Sequence, residues 1–236
     1  MARVLYGSIV TQLSGSIGGT VFARNASGNT CRRKSRNINR NTVKMSTFRN
    51  SFGFIQRSWR GIDAASRTTW STNANLFPYV NSLGITHYYT GFQLYSKFNN
   101  QLFNVGAPLL VTAPTPSTMS AITVATSVFT ADTDFFEFSF IDSVGLTSVV
   151  PVGFILQLFA TTNLSLGISS PNIGAFKMLY LYQGGVNTSF INLADRYFDT
   201  FGSLPLSSSN VFLSARYVNT ATGEVGSFVR LIVTVV

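Results

Sequence analysis

The sequence predicts an α+β chain in several parts: an N-terminal β-ribbon and a small helical module, followed by a C-terminal antiparallel β-sandwich of immunoglobulin or fibronectin type. Three observations predict it. Residues 3–34 hold short apolar runs broken by glycine-rich turns. Residues 43–106 carry apolar side chains at spacings of three and four. Residues 120–236 hold seven strand-like runs separated by Gly, Asn, Ser or Pro clusters.

The ribbon begins with Val4, Tyr6, Ile9 and Val10. The runs SGSIGGTVFAR and NTCRRK then flank Asn25-Ala-Ser-Gly28, a turn sequence. Residues 35–42, SRNINRNT, have Ile38 as their single apolar side chain and are expected to be extended and solvated unless bound, so the basic arm is set at 1–42. From Val43 the period changes. Phe48, Phe52, Ile55 and Trp59 form one stripe of an amphipathic helix, with Arg49, Arg57 and Arg60 off it. Gly61 ends that helix, and Asp63 is a natural N-cap for a second, AASRTTWSTNANLF, closed by Pro78. A third helix reads YYTGFQLYSKFNNQLFNVG, with Gly106 beyond its end. The helical module therefore spans 43–106, and Phe48, Phe52, Trp59, Trp70 and Tyr95 are its expected core.

PLLVTAPTPSTMS carries three prolines within nine positions and reads as a semi-rigid linker, 107–119. Seven strand-like runs follow: AITVATSVF, DFFEFSFI, GFILQLFA, AFKMLYLYQ, TSFINLA, NVFLSARYV and SFVRLIVTVV. Seven strands in this length suggest the sandwich assigned to 120–236, without the Cys–Trp–Cys pattern of true immunoglobulin domains. LADRYFDTF reads as a short helical crossover.

Charge is divided unevenly. Arg3, Arg24, Arg32, Arg33, Lys34, Arg36, Arg40, Lys44, Arg49, Arg57 and Arg60 all precede the first acid, Asp63. Seven of the chain's 8 acids lie beyond residue 115. The basic part should seek nucleic acid or an acidic protein surface. Only 11% of residues are charged and 21 are Phe, so a free chain would expose apolar surface that neighbours should cover. No stretch approaches the ~18 apolar residues of a membrane span, and no secretory signal is read.

The inventory for catalysis is poor, and no cofactor is expected. His87 is the sole histidine and is expected to cap or pack against the third helix. Cys31, the sole cysteine, lies beside Arg32 and Arg33, but no base stands near it in sequence; a structural or incidental role is expected. Asp132, Asp134, Glu137 and Asp142 lack the glycine and ligand count of a calcium loop and read as a solvated turn. SGSIGG lacks the phosphate-cradling patterns and reads as ribbon turns.

The order GSIGGTVFARN, SRNINRNT, FRNSFGFIQRSWRGIDAASRTTWSTNA, YYTGFQLYSKFNNQLFNVGAPLL resembles a family found in bacteriophage and prophage genomes. Members begin with a Gly-Thr-Val basic ribbon and an Asn-x-Asn-Thr-type turn. A helix ending near a Trp follows, then a second Trp about eleven residues on, a Gly-x-x-x-Phe-type helix and a Pro-Leu stretch. Gly19-Thr20-Val21, Asn39 to Thr42, Trp59, Trp70 and Gly91 to Tyr95 occupy those places, within residues 7–112. Where the family pattern has Pro, this chain has Arg40. The resemblance implies a non-enzymatic structural protein of a virion, made in the host bacterial cytoplasm, in the shell, neck or tail.

On that expectation Arg24, Arg32, Arg33, Lys34, Arg36, Arg40, Lys44 and Arg49 form the interface with other virion proteins or packaged nucleic acid, and the chain forms a homo-oligomer. A nucleic-acid-binding protein using the same arm predicts steep salt dependence and little self-association. A glycan- or receptor-binding sandwich predicts that affinity resides in 120–236 alone.

Overall fold

The computed structural model of the chain describes residues 2–235 except 6, 9, 11, 26–27, 36–40, 120–122, 131–134, 142–149, 186–190 and 207. The chain divides into two units, Met1–Lys97 with Val111–Thr115 and Phe98–Leu110 with Pro116–Val236.

The first unit opens with an antiparallel ribbon of β1 (Ala2–Arg3), β2 (Gly15–Ile17), β3 (Thr20–Asn25) and β4 (Gly28–Arg33), in the order β1-β4-β3-β2. Ile17 pairs with Thr20, so Gly18-Gly19 is a two-residue hairpin turn. Gly18 has φ of +55°, a conformation that glycine reaches without steric cost.

Helix α1 (Val43–Gly61) starts at Thr42, whose hydroxyl accepts the Met45 N–H at 3.3 Å. Helix α2 (Ala64–Asn73) starts at Asp63, whose carboxylate accepts the Ser66 N–H at 3.2 Å. The side-chain and backbone hydrogen bonds of Ser66 hold that carboxyl below its ordinary pKa. The expected second helix is shorter than its pattern: a 3-10 turn takes over at Ala74–Leu76. A two-stranded hairpin of β5 (Tyr79–Val80) and β6 (Thr86–His87) then leads to α3 (Gly91–Asn104). Thr90 and Gln93 cap α3 reciprocally. The Thr90 hydroxyl accepts the Gln93 N–H at 3.3 Å, and Gln93 Oε1 accepts the Thr90 N–H at 2.9 Å.

Ile55, Trp70, Ala74, Leu94 and Tyr95 are buried in this unit. Trp70 meets Tyr95 edge-on at 5.2 Å, and Trp59 lies 5.0 Å from the same ring. Gly91 is buried because α2 passes close: a Cβ there would sit 2.9 Å from the Ser71 backbone nitrogen.

Within residues 107–119, expected to be a semi-rigid linker, several backbone carbonyls are held by α2. Trp70 Nε1 donates to the Val111 carbonyl at 2.8 Å, and Asn73 Nδ2 to the carbonyls of Ala113 and Pro114, each at 3.3 Å. Proline removes donors but leaves carbonyls, and here those carbonyls strap the segment onto α2. In the second unit the Ser117 N–H donates to the Glu224 carboxylate at 3.0 Å, and Met119 packs into the core.

The second unit contains β7 (Thr123–Thr130), β8 (Phe135–Ile141), β9 (Phe154–Ala160), β10 (Lys177–Gln183), β11 (Ile191–Asn192), α4 (Ala194–Phe201), β12 (Asn210–Asn219) and β13 (Val229–Thr234). All seven expected strands and the helical crossover are present. They form an antiparallel four-stranded sheet, β10-β9-β12-β13, and a three-stranded one, β11-β8-β7. The fold is thus α+β, with an N-terminal ribbon, a few helices and a C-terminal antiparallel sheet.

Strand β12 is buried on both faces. Leu213, Ala215 and Tyr217 share one face with their β9 partners Ala160, Leu158 and Leu156, beneath Ala194 and Tyr197 of α4. The Tyr197 hydroxyl donates to the Thr161 carbonyl at 3.0 Å, and burial raises its pKa far above the ordinary tyrosine value. Ser214, Arg216 and Val218 share the opposite face with Phe159, Gln157 and Ile155. There the end of α3 supplies Gln101, and Val105 packs against Ile155 and Val218. Residues 98–104, expected to belong to the helical module, pack with the sheet for this reason. Gly223 also needs its small size: a Cβ would lie 2.9 Å from the Phe98 carbonyl.

Candidate docking surface

A sheet needs an apolar face covered to be stable, and among the described residues of the ribbon no apolar side chain is fully buried. Among its described residues only Thr30 is buried, its hydroxyl donating to the Ala23 carbonyl at 3.1 Å. The register distributes the cations over both faces. Thr20 pairs with Arg33, Phe22 with Cys31 and Arg24 with Asn29, so Arg24 and Arg33 share a face with Phe22 and Cys31. Arg32 pairs with Val21 and lies on the other. Arg24, Arg32, Arg33 and Lys34 are all exposed. Arg36 and Arg40 lie outside the described residues.

The first turns of α1 are equally bare. Residues 41–50 are exposed throughout, Lys44 and Arg49 among them. The stripe Met45, Phe48, Phe52, Ile55, Trp59 runs along one side of the helix at spacings of three and four. Its C-terminal end is packed: Ile55 is buried, and Trp59 contacts Phe92 at 5.7 Å as well as Tyr95. Its N-terminal end is not. Phe48 is 57% exposed and Phe52 38%, so these two expected core residues lie outside the core. The reason is geometric: α2 and α3 reach only the last turns of α1. Periodicity identifies an apolar side without saying how much of it a neighbour covers. Trp59, Trp70 and Tyr95 do lie together, as the sequence suggested. Met45 and Phe54, both exposed, were not singled out; stepping back three positions from Phe48 would have found Met45.

Covering this end would be favourable. A fully buried Met or Phe side chain contributes ~1.5–3 kcal/mol, so Met45, Phe48 and Phe52, already partly shielded, would together contribute several. No acid occurs in the first 62 residues to offset the charge beside them, so the surface suits an acidic partner.

Of the residues weighed for chemistry, Cys31 lies in the ribbon itself and His87 in β6. His87 does not cap α3, since Thr90 holds that position. Asn81 Nδ2 lies 2.8 Å from His87 Nε2, and the imidazole stacks on Tyr79 at 5.8 Å. The Asn81 carbonyl oxygen also accepts the Leu83 and Ile85 N–H groups, so His87 closes the β5–β6 hairpin. Cys31 is a half-buried free thiol in β4. Asp132, Asp134 and Asp142 lie outside the described residues. Among the described residues no three His, Cys, Asp or Glu side chains gather as a metal site, and no helix is long and apolar enough to cross a membrane.

Compared with protein-family models, with curated proteins and with solved structures, the chain matches none.

Proposed function

We propose that the chain is a non-enzymatic structural component of a bacteriophage particle, docked through its basic ribbon and the bare half of α1. The observation that carries this reading is a folded β-ribbon with no buried apolar side chain among its described residues, continuous in sequence with a helix whose apolar stripe runs out into solvent. Such a segment gains its missing burial from a neighbour. Short β1 and β2 edges can add strands to other subunits, and repeated copies supply avidity. The resemblance over residues 7–112 supplies the phage setting, with virion proteins as partners.

The finer architecture is part of the same proposal. The three-stranded and four-stranded sheets stack as a sandwich, a reading supported by β7 lying against β13 within one unit.

The test replaces Arg32, Arg33, Lys34 and Arg36 by Ser. The variant should fold, with an unchanged far-ultraviolet spectrum, and fail to enter particles. Normal incorporation sinks the proposal. Nucleic-acid binding by the same cations is a second reading, favoured by the placement of Arg24, Asn29 and Arg33 on one strand face. It requires binding to duplex or single-stranded DNA that falls steeply with salt, and loss of that binding in the same variant.

A further inference from the structure

The face of the four-stranded sheet opposite α4 holds a cavity of about 130 Å³, lined by Phe159, Ile173, Phe176, Ser214, Phe228 and Arg230. Three phenylalanines make it a socket for a ring: an apolar cavity of roughly this size holds a benzene molecule. Its rim is cationic. The Arg230 guanidinium stands 5.6 Å from the Phe176 ring centre. Behind the wall Arg216 stacks between Phe228 at 4.7 Å and Phe159 at 5.8 Å. Arg216 Nε donates to Gln157 Oε1 at 2.7 Å and its Nη2 to Gln101 Oε1 at 3.2 Å. Both acceptors are neutral amides. Among the described residues no carboxylate pairs with Arg216 or Arg230, although this part of the chain is the one rich in acids. Phe228, 47% exposed, and Ile173, 79% exposed, leave the socket open to an incoming group.

The other side of the sheet carries the complement. Helix α4 packs over it through Ala194 and Tyr197 and turns Phe198 outward, 54% exposed. Asp195 and Asp199 stand one helical turn apart, and with Phe198 they border one surface depression that also includes Ala194 and Leu204. An exposed aromatic ring beside two carboxylates thus lies on one face, and a ring-sized socket with Arg230 at its rim lies on the opposite face of the same sheet.

We infer that the chain associates with itself head to tail, the Phe198 ring of one copy entering the Phe159–Phe176–Phe228 cavity of the next while Asp195 and Asp199 meet Arg230 at its rim. Size selects a ring, and charge favours Phe198, which has Asp195 and Asp199 beside it, over Phe48 and Phe52, which sit among cations that Arg230 repels. Because knob and socket occupy different faces, the contact is heterologous. It propagates to a ring if the rotation closes and to a filament if it does not. Carboxylate–guanidinium pairing at the rim fixes the register of successive copies. The inference does not rest on the ribbon docking, since the ribbon residues take no part in either surface.

The experiment is sedimentation velocity of the full chain over a concentration series, all in an Arg32, Arg33, Lys34→Ser background that removes the ribbon's cations. The parent chain is expected to form species larger than a dimer as concentration rises. Phe198→Ser blunts the knob and Arg230→Glu reverses the socket, and each is expected to weaken association on the order of 30-fold, as for a central aromatic or arginine anchor. Both positions are exposed or on an edge strand, and circular dichroism verifies that each variant is folded. The decisive sample mixes the two. One good knob and one good socket remain, so the mixture is expected to form 1:1 heterodimers and nothing larger. A parent chain that stays monomeric overturns the inference and leaves the socket to a foreign side chain or a small aromatic acid. Single variants that assemble like the parent, or a mixture that stays monomeric, overturn it equally.

Discussion

Trp70 ties three parts of the first unit together, and shortening it by one ring predicts a cost that the structure apportions. Trp70 is fully buried, lies edge-on against Tyr95 and donates to the Val111 carbonyl. Trp70→Phe keeps a six-membered ring and removes the pyrrole. Val111 is itself exposed, so its carbonyl regains water and the lost bond costs its net value, ~0.5–1.5 kcal/mol. The void left by the missing ring atoms adds ~1–2 kcal/mol, because α2, packed closely on Gly91, has little room to collapse. The sum is about 1.5–3.5 kcal/mol. Urea unfolding followed by tryptophan fluorescence suits this test. The chain has 2 Trp, and Trp59 remains in the same unit as a reporter of its unfolding. The variant should also be cut faster by protease near residues 111–115, which lose one anchor and keep those from Asn73. A loss below ~0.5 kcal/mol, with unchanged proteolysis, would refute the strap and the packing argument together.

Other consequences are as direct. Gly91→Ala places a methyl against the Ser71 backbone and should cost ~1–3 kcal/mol in the same unfolding assay, whereas Gly53→Ala, open within α1, should not destabilise. Tyr197 should shape alkaline stability. Its pKa is raised in the folded chain, so the folded state keeps its proton after the unfolded state loses it at ~pH 10. Stability contributed by the neutral phenol is complete below that pH and declines above it, by up to ~1.4 kcal/mol per pH unit. Tyr197→Phe should flatten that decline in urea titrations between pH 9 and 11.

Much of the fold is legible where the signal is local. Two-residue glycine turns, the Asp63 cap and the alternation of runs such as NVFLSARYV mark elements because backbone sterics act over a few residues. The misplacements arise where a distant partner decides. Phe48 and Phe52 belong to the right stripe, but the lengths of α2 and α3 determine that the core ends at Ile55. The prolines of 107–119 mark a semi-rigid linker, but not that its carbonyls serve Trp70 and Asn73 as acceptors. Thr90-x-x-Gln93 is a local capping signal, and it takes the capping half of the role expected of His87. Arg216 alternates with Ala215 and Tyr217 as a solvent-facing residue would. Only the return of α3 brings Gln101 over it. The candidate docking surface is legible as charge, because no acid interrupts the first 62 residues. Its apolar half is legible only from what the structure leaves uncovered.

The measurement that bears most directly on the central claim is quantitative mass spectrometry of purified phage particles from the organism that encodes the chain. The account predicts the chain in those particles at a fixed copy number relative to the shell protein, retained through a high-salt wash because apolar contacts of α1 support the charged ones. Its absence from particles, with the chain recovered bound to nucleic acid in the soluble fraction, would contradict it.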